Sequence, residues 1–162
     1  MFHGSGWIDW YVGEYDEARV HLTRALELAP NMVWPHLTLA MLNAAEGKME
    51  DAVRENDEAV RLSDEAWFRE LQAQVYAMAG LNERAREMLD GLLSKRFPGY
   101  LSPAMIGIIY YFLGEKDKGW EWMQKAYEAR DTSLAMWNRC PTMKAAREDP
   151  RFVELLVKMK LT

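Results

Sequence analysis

The stretch GEYDEARVHLTRALELAP, residues 13–30, decides how the rest of the chain is read. Tyr15, Ala18, Leu22, Ala25, Leu26 and Leu28 recur at roughly helical spacing, Asp16 and Glu17 stand in the first turn, and Pro30 stops the pattern. Acidic side chains suit the positive end of a helix dipole, and a proline cannot continue the backbone hydrogen bonding. The segment is therefore expected to be one amphipathic helix. Gly13 before it supplies the left-handed conformation that ends an earlier helix and permits a tight turn.

Moving outward, the same arrangement returns. Gly13, Gly47, Gly80 and Gly114 each end an apolar segment, at intervals of 34, 33 and 34 residues. Small residues follow at fixed offsets: Ala18, Ala52, Ala85 and Gly119 after the glycines, then Ala25, Ala59 and Ala126, with Leu92 as the exception. Gly6, Ala40, Ala73 and Gly107 precede the glycines at a common distance. Small side chains facing one another across two helices let the backbones approach closely, while larger apolar residues fill the flanks. The chain is thus expected to be a series of antiparallel helix pairs, all-α throughout.

This pattern resembles the tetratricopeptide repeat family, whose unit is a helix-turn-helix of about 34 residues carrying W-x2-L-G-x2-Y, then A-x3-F, then P. Ile106, Gly107 and Tyr110 match its first half, Gly119, Met123 and Ala126 its second, and Ala18, Leu22, Ala25 and Pro30 match in the first copy. The resemblance covers about residues 2–131. It implies a right-handed superhelical α-solenoid with repeats at 1–32 (partial), 33–66, 67–99 and 100–131, then a degenerate unit and a C-terminal capping helix over 132–162. Residues 2–12 are expected to give a first helix about a turn short, as in a fragment of a longer protein or a helix packed on something else.

Departures from the family pattern carry expectations of their own. Asn43 and Asn56 occupy positions where the family places large aromatics, so they form either a buried, mutually hydrogen-bonded pair or a locally exposed seam; exposure is the simpler expectation. Leu92 in place of a small residue predicts wider or rotated packing after the third copy. Beyond Asp131 the spacing decays: Leu134–Arg139 can make a short helix, Pro141 interrupts, and Thr142–Glu148 can make another turn or two. Asp149-Pro150 then starts a last helix, with Phe152, Leu155, Leu156 and Met159 on one face and Arg151, Glu154, Lys158 and Lys160 toward water. This end, through Asp149, Pro150, Arg151 and Phe152, resembles tetratricopeptide modules closing bacterial multidomain signalling proteins, where they follow winged-helix regulators, nucleotide cyclases or Ser/Thr kinases.

Composition narrows the function. The chain has 162 residues, with 20 Lys and Arg against 25 Asp and Glu, so no phosphate-tracking surface is expected and nucleic acid is not a direct partner. No apolar run approaches the ~18 residues that cross a bilayer, and no signal peptide opens the sequence. The single Cys140 cannot form an internal disulfide, which fits a reducing, cytoplasmic location. Glu17 and His21 are four apart but have no third metal ligand in range, and His36 is expected to be a partly buried packing residue. Glu50, Asp51, Glu55, Asp57 and Glu58 interleave with Arg54 and Arg61 as a solvated outer face. Cys140 lacks a neighbouring base, and no phosphate-binding loop or hydrolase signature is present. No enzyme, metal or cofactor is expected.

Seven Trp, seven Tyr, five Phe and eleven Met exceed what a core of this size needs. The resemblance implies that the first helix of each pair lines an inner groove. Register then assigns to it Trp7, Trp10 and Tyr11; Trp34, Leu37 and Met41; Trp67, Glu70, Gln74 and Met78; Leu101, Ile108, Tyr111 and Phe112. An exposed apolar, aromatic wall marks an interaction site. The expected partner is a protein or peptide presenting an apolar or amphipathic helical segment. Homodimerisation is the alternative, and an adaptor for acidic chaperone tails the third, disfavoured because no inner position carries Lys or Arg.

Overall fold

The computed structural model describes residues 2–137, 140 and 143–161. Regular structure among them is helical: α1 Phe2–Val12, α2 Tyr15–Leu28, α3 Val33–Ala45, α4 Met49–Leu62, α5 Ala66–Met78, α6 Asn82–Leu93, α7 Pro103–Phe112, α8 Lys116–Glu128, α9 Ser133–Trp137, α10 Lys144–Arg147 and α11 Pro150–Lys158. The first eight form four hairpins, α1 on α2, α3 on α4, α5 on α6 and α7 on α8, stacked in chain order. The chain has the helical-hairpin solenoid fold. α1, at 11 residues, is shorter than α3 and α5 at 13, yet α7 is shorter still at 10, because Ser102 caps it and Pro103 fixes its first position.

The turns are built as the glycine spacing requires. Gly47 has φ of +78°, its N–H donates to the Ala44 carbonyl at 3.2 Å, and the Lys48 N–H donates to the Asn43 carbonyl at 2.8 Å. Gly13, Gly80 and Gly114 repeat this geometry. Two carbonyls left orphaned at the helix end are thereby satisfied in the turn itself. The small residues lie in the seams, with Ala18, Ala40, Ala52, Ala73, Ala85 and Ala126 all buried. Approach is close in the fourth hairpin. A Cβ on Gly107 would stand 3.0 Å from the Gly119 carbonyl oxygen, and one on Gly119 would stand 2.8 Å from the Tyr111 ring.

Junctions between hairpins are not equal. α2 packs on α3 and α4 on α5, whereas α6 barely meets α7, and the third junction is carried by α5 against α7. Leu92 fills the seam where a small residue would let helices close up. The connection after α6 folds back over α5: Phe97 lies against Gly91, the Arg69 guanidinium sits 5.0 Å from the Phe97 ring, and the Pro98 carbonyl accepts from the Ala66 N–H at 2.8 Å.

Asn43 and Asn56 are buried, which corrects the expected exposure. They do not form the mutual pair either. Asn56 reaches across the junction, its Nδ2 donating to the Gln72 carbonyl on α5 at 3.1 Å, and so ties the second hairpin to the third.

After α8 the chain does not add another hairpin to the stack. Asp131 holds the first residues at the start of α7: its Oδ2 accepts from Ser102 Oγ at 2.6 Å and from the Ala104 N–H at 3.1 Å, and its Oδ1 from the Ser133 N–H at 2.9 Å. Beyond α9, Cys140 and Met143 enter the apolar cluster that also holds Trp10 of α1 and Leu37 and Met41 of α3. The chain continues through α10, packed on α7, to Asp149, whose Oδ2 accepts from the Tyr111 hydroxyl at 3.1 Å. The described residues between α8 and α11, 132–137, 140 and 143–149, form a crossing segment. α11 itself forms as its sequence predicts, with Asp149 as N-cap, Pro150 at its start and Phe152, Leu155 and Leu156 buried. The expected interruption at Pro141 and the residues Asn138, Arg139 and Thr142 lie outside the described residues.

Candidate functional site: the inner face

The first helices of the hairpins lie side by side, and the positions assigned to the groove by register divide into two groups. Trp10, Leu37, Met41, Glu70 and Gln74 are 0% exposed, with Ile108 and Tyr111 nearly so, which corrects the expectation that they line an open wall. Tyr11, Trp34, Trp67, Met78, Leu101 and Phe112 are half-buried. The Trp7 side chain lies outside the described residues. One apolar cluster explains the burial. It runs from Trp10 through Leu37, Met41, Leu71 and Ile108 and takes in Leu134, Cys140, Met143 and Ala146 from the crossing segment. Leu134, Cys140, Met143 and Ala146 thus belong to the same core as the inner positions.

An aromatic row stays partly accessible beside that core. The Trp34 ring lies 6.1 Å from Phe68, tilted at 58°, so the second and third hairpins meet through an edge-to-face type of contact. Phe68 was not expected there. A neighbour of Trp67 on the helix points away from the register set, and only the lateral spacing of α3 and α5 brings it under Trp34.

Polar chemistry on this face is concentrated on α5. Glu70 is buried between α5 and the start of α7, with Oε1 accepting from the Ser102 N–H at 2.5 Å. Burial pushes its carboxyl up to about 8; the Ser102 N–H offsets part of this, and the Asp131 charge adds to it. Glu70 Oε2 and Gln74 Oε1, one turn apart, are buried with no donor, while Gln74 Nε2 lies 3.2 Å from Met105 Sδ. Asp131 behaves oppositely. Burial raises its carboxyl, but the hydrogen bonds from Ser102, Ala104 and Ser133 outweigh it and hold the group below the usual range. Asp149 is also held low, chiefly by Arg151, which contacts it through Nε and Nη2 and reaches Asp117 with Nη1 at 3.0 Å.

The outer face holds paired charges. Its open depression of about 1030 Å³ is lined by Met49, Val53 and Leu81 under a charged rim. Arg54 pairs with Asp51 at 2.6 Å, Arg61 with Glu58 at 2.5 Å, and Asp57 accepts from Tyr76 Oη and Arg84, each at 2.6 Å. His36 ties Glu55 at 2.7 Å to the Pro30 carbonyl at 2.9 Å, a polar bridge where simple packing was expected. His21 contacts Asp9 at 2.6 Å. Among the described residues no three His, Cys, Asp or Glu side chains converge as a metal site, and no helix is long and apolar enough to cross a membrane.

Sequence reasoning missed the crossing segment as part of this face. Its signal was present in Asp131 and Asp149, two capping residues that bracket an apolar stretch without the repeat's spacing.

Residues 11–74 match the family model of the tetratricopeptide repeat, from the end of α1 into α5. No curated protein matches the chain. That segment is similar to the tetratricopeptide repeat, and the hairpins from α5 to α8 continue its glycine turns and small-residue seams. Repeats of this family generally mediate protein–protein interaction.

Proposed function

We propose that this chain, as a carrier of tetratricopeptide repeats, is a non-enzymatic interaction module that receives an apolar or amphipathic segment of a partner protein along its inner face. The observation that carries the reading is that Leu134, Cys140 and Met143, from outside the repeats, share one apolar cluster with Trp10, Leu37 and Met41 of the inner face. The half-buried Tyr11, Trp34 and Trp67 supply amphipathic rings of the kind that carry binding energy. An acidic chaperone tail fits poorly, because the inner positions carry the carboxyl of Glu70 and no Lys or Arg, so a carboxylate partner would meet no cation. The likeness of residues 149–152 to the closing helix of bacterial signalling proteins supports a regulatory role beside a cyclase, kinase or winged-helix domain in the cytoplasm.

A photo-crosslinking residue at Trp34 or Trp67 tests this in cells that express the chain. Adducts to another protein from those positions, and none from the exposed Val20, are expected; adducts from Val20 alone would overturn the reading. Self-association is supported by one specific feature: Ile8, Val12, Val20 and Leu28, exposed by 60 to 66%, are all on the first hairpin. Sedimentation at dilute concentration decides that point, since a monomer at every loading excludes it.

A further inference from the structure

Arg69 of α5, Arg84 of α6 and Arg96 of the connection after α6 line one open pocket of about 250 Å³ on the third hairpin. None of its lining residues is among the inner positions. In a chain with 20 Lys and Arg against 25 Asp and Glu, three guanidiniums at one small pocket run against the overall charge. Arg84 and Arg96 are exposed, whereas Arg69 is buried at 9% exposure. Arg69 Nη1 donates to Gln72 Oε1 at 3.2 Å, its Nε is buried with no acceptor, and among the described residues no carboxylate stands within ion-pair distance of it. Burial lowers its pKa, offset in part by Asp64, and the Phe97 ring 5.0 Å from the guanidinium replaces some of the lost hydration. A guanidinium does not shed its proton, so a buried one without a counter-charge costs stability until an anion meets it.

We infer that this pocket binds a phosphate monoester carried on an apolar stem of side-chain size. The inference is independent of the inner-face reading. A carboxylate offers two oxygens and is satisfied by one planar fork, which would leave the other guanidiniums unused. A phosphate monoester offers three terminal oxygens to three guanidiniums and brings a charge of about −2 at pH 7. Arg69 and Arg96 have no carboxylate partner of their own among the described residues. Arg84 is already held in place: its Nη2 donates to Asp57 Oδ1 at 2.6 Å and to Tyr76 Oη at 2.8 Å, and its guanidinium lies 4.2 Å from the Tyr76 ring. Glu87 is the acid that lines the pocket, and it opposes the occupant. Val60, Met88 and Phe97 supply apolar lining for the stem. The volume falls below the ~300–1,000 Å³ of drug-sized ligand sites, so the occupant is small.

Isothermal titration of the full chain with phenyl phosphate, inorganic phosphate and benzoate, all at one ionic strength, tests the site. Phenyl phosphate is expected to saturate one site per chain and to bind more tightly than the other two. Arg69→Met is expected to weaken it about tenfold or more, the loss of a charged hydrogen-bond donor. Arg96→Ala weakens it in the same direction, Glu87→Gln tightens it, and Arg54→Ala on α4 leaves it unchanged. Circular dichroism confirms that each variant is folded. Arg96 and Glu87 are exposed, so those two variants decide the matter even where Arg69→Met does not fold. No saturable binding of phenyl phosphate overturns the site, as does binding that Arg96→Ala and Glu87→Gln both leave unchanged. Benzoate binding as tightly as phenyl phosphate overturns the phosphate class, and inorganic phosphate doing so overturns the apolar stem. A phosphotyrosine in a Gly-Ser peptide separates the sources: binding equal to phenyl phosphate assigns the ester to a partner protein, and binding about tenfold weaker assigns it to a free small molecule.

Discussion

Within a hairpin seam, a Cβ on Gly107 would stand 3.0 Å from the carbonyl oxygen of Gly119, twelve residues on, and one on Gly119 would run into the Tyr111 ring at 2.8 Å. On the inner face, by comparison, Trp10 and Leu37 share a cluster with Cys140 and Met143, which come from the other end of the chain. The seam is local, repeated and made of small side chains. The inner face is non-local, unrepeated and made of large ones. A periodic contact tolerates no change in volume but needs no partner from elsewhere, whereas the inner face is completed only when a distant segment arrives. Stability should therefore respond most to the seams, and surface availability to the crossing segment.

The sharpest way to break this contrast is overpacking a seam. Gly119→Leu drives a side chain into the Tyr111 ring and is expected to cost about 3 kcal/mol, read as a lowered urea midpoint. A loss below about 1 kcal/mol would mean that the seam yields.

Glu70 gives the next largest effect and carries a sign. Its carboxyl titrates near 8 in the folded chain, above the ~4.3 of an unfolded one, so the folded state binds an extra proton between those values. Stability must then fall as pH rises from about 4 to about 8 and level off above. Glu70→Gln, which keeps an acceptor for the Ser102 N–H, removes that slope and is expected to stabilise by roughly 2–4 kcal/mol at pH 8 while doing little near pH 4. Urea titrations at the two pH values check it, and a flat native profile would contradict the burial of the charge. Asp131 and Asp149 run the opposite way. Their lowered pKa values give stability that is present above the ordinary carboxyl range and lost as pH falls through their folded values, so both anchors weaken together in acid.

Cutting one anchor alone should matter less. Asp149→Ala removes the N-cap of α11 and the acceptor for Tyr111 and Arg151, and is expected to cost about 1–2 kcal/mol. Hydrogen exchange should localise the loss to α11 and the crossing segment. The smallest effect belongs to the outer face. Arg54→Ala breaks an exposed pair with Asp51 one turn away and should leave the urea midpoint where it was.

Much of the fold was legible because its information is local. Gly13, Gly47, Gly80 and Gly114 announce the turns, and all four adopt the left-handed conformation that only glycine reaches without strain. Asp149 and Pro150 announce α11 in the same way. Leu92 even marked the junction where α6 and α7 draw apart. What was not legible depends on tertiary arrangement. Asn56 looked exposed because its partner, the Gln72 carbonyl, is a backbone group that no side-chain pattern reveals. The register of α3 and α5 assigned Leu37, Met41, Glu70 and Gln74 to an open face, and all four are buried. Nothing in that register states that Leu134, Cys140 and Met143 join the same cluster.

The crossing segment also alters how the molecule should come apart. In a stack of repeats each unit holds only its neighbours, so the ends fray independently and folding spreads from any point. Here Trp10 of the first hairpin and Met105 and Ile108 of the fourth share one apolar cluster with Cys140 and Met143, and Asp149 accepts from Tyr111. Loss of the terminal hairpin then releases contacts at the opposite end, so unfolding is more nearly all-or-none than for an open array. The same long-range closure must be made late in folding, after the loop entropy between distant parts of the chain has been overcome. A linear chain of repeats has thereby acquired the cooperativity of a single closed domain.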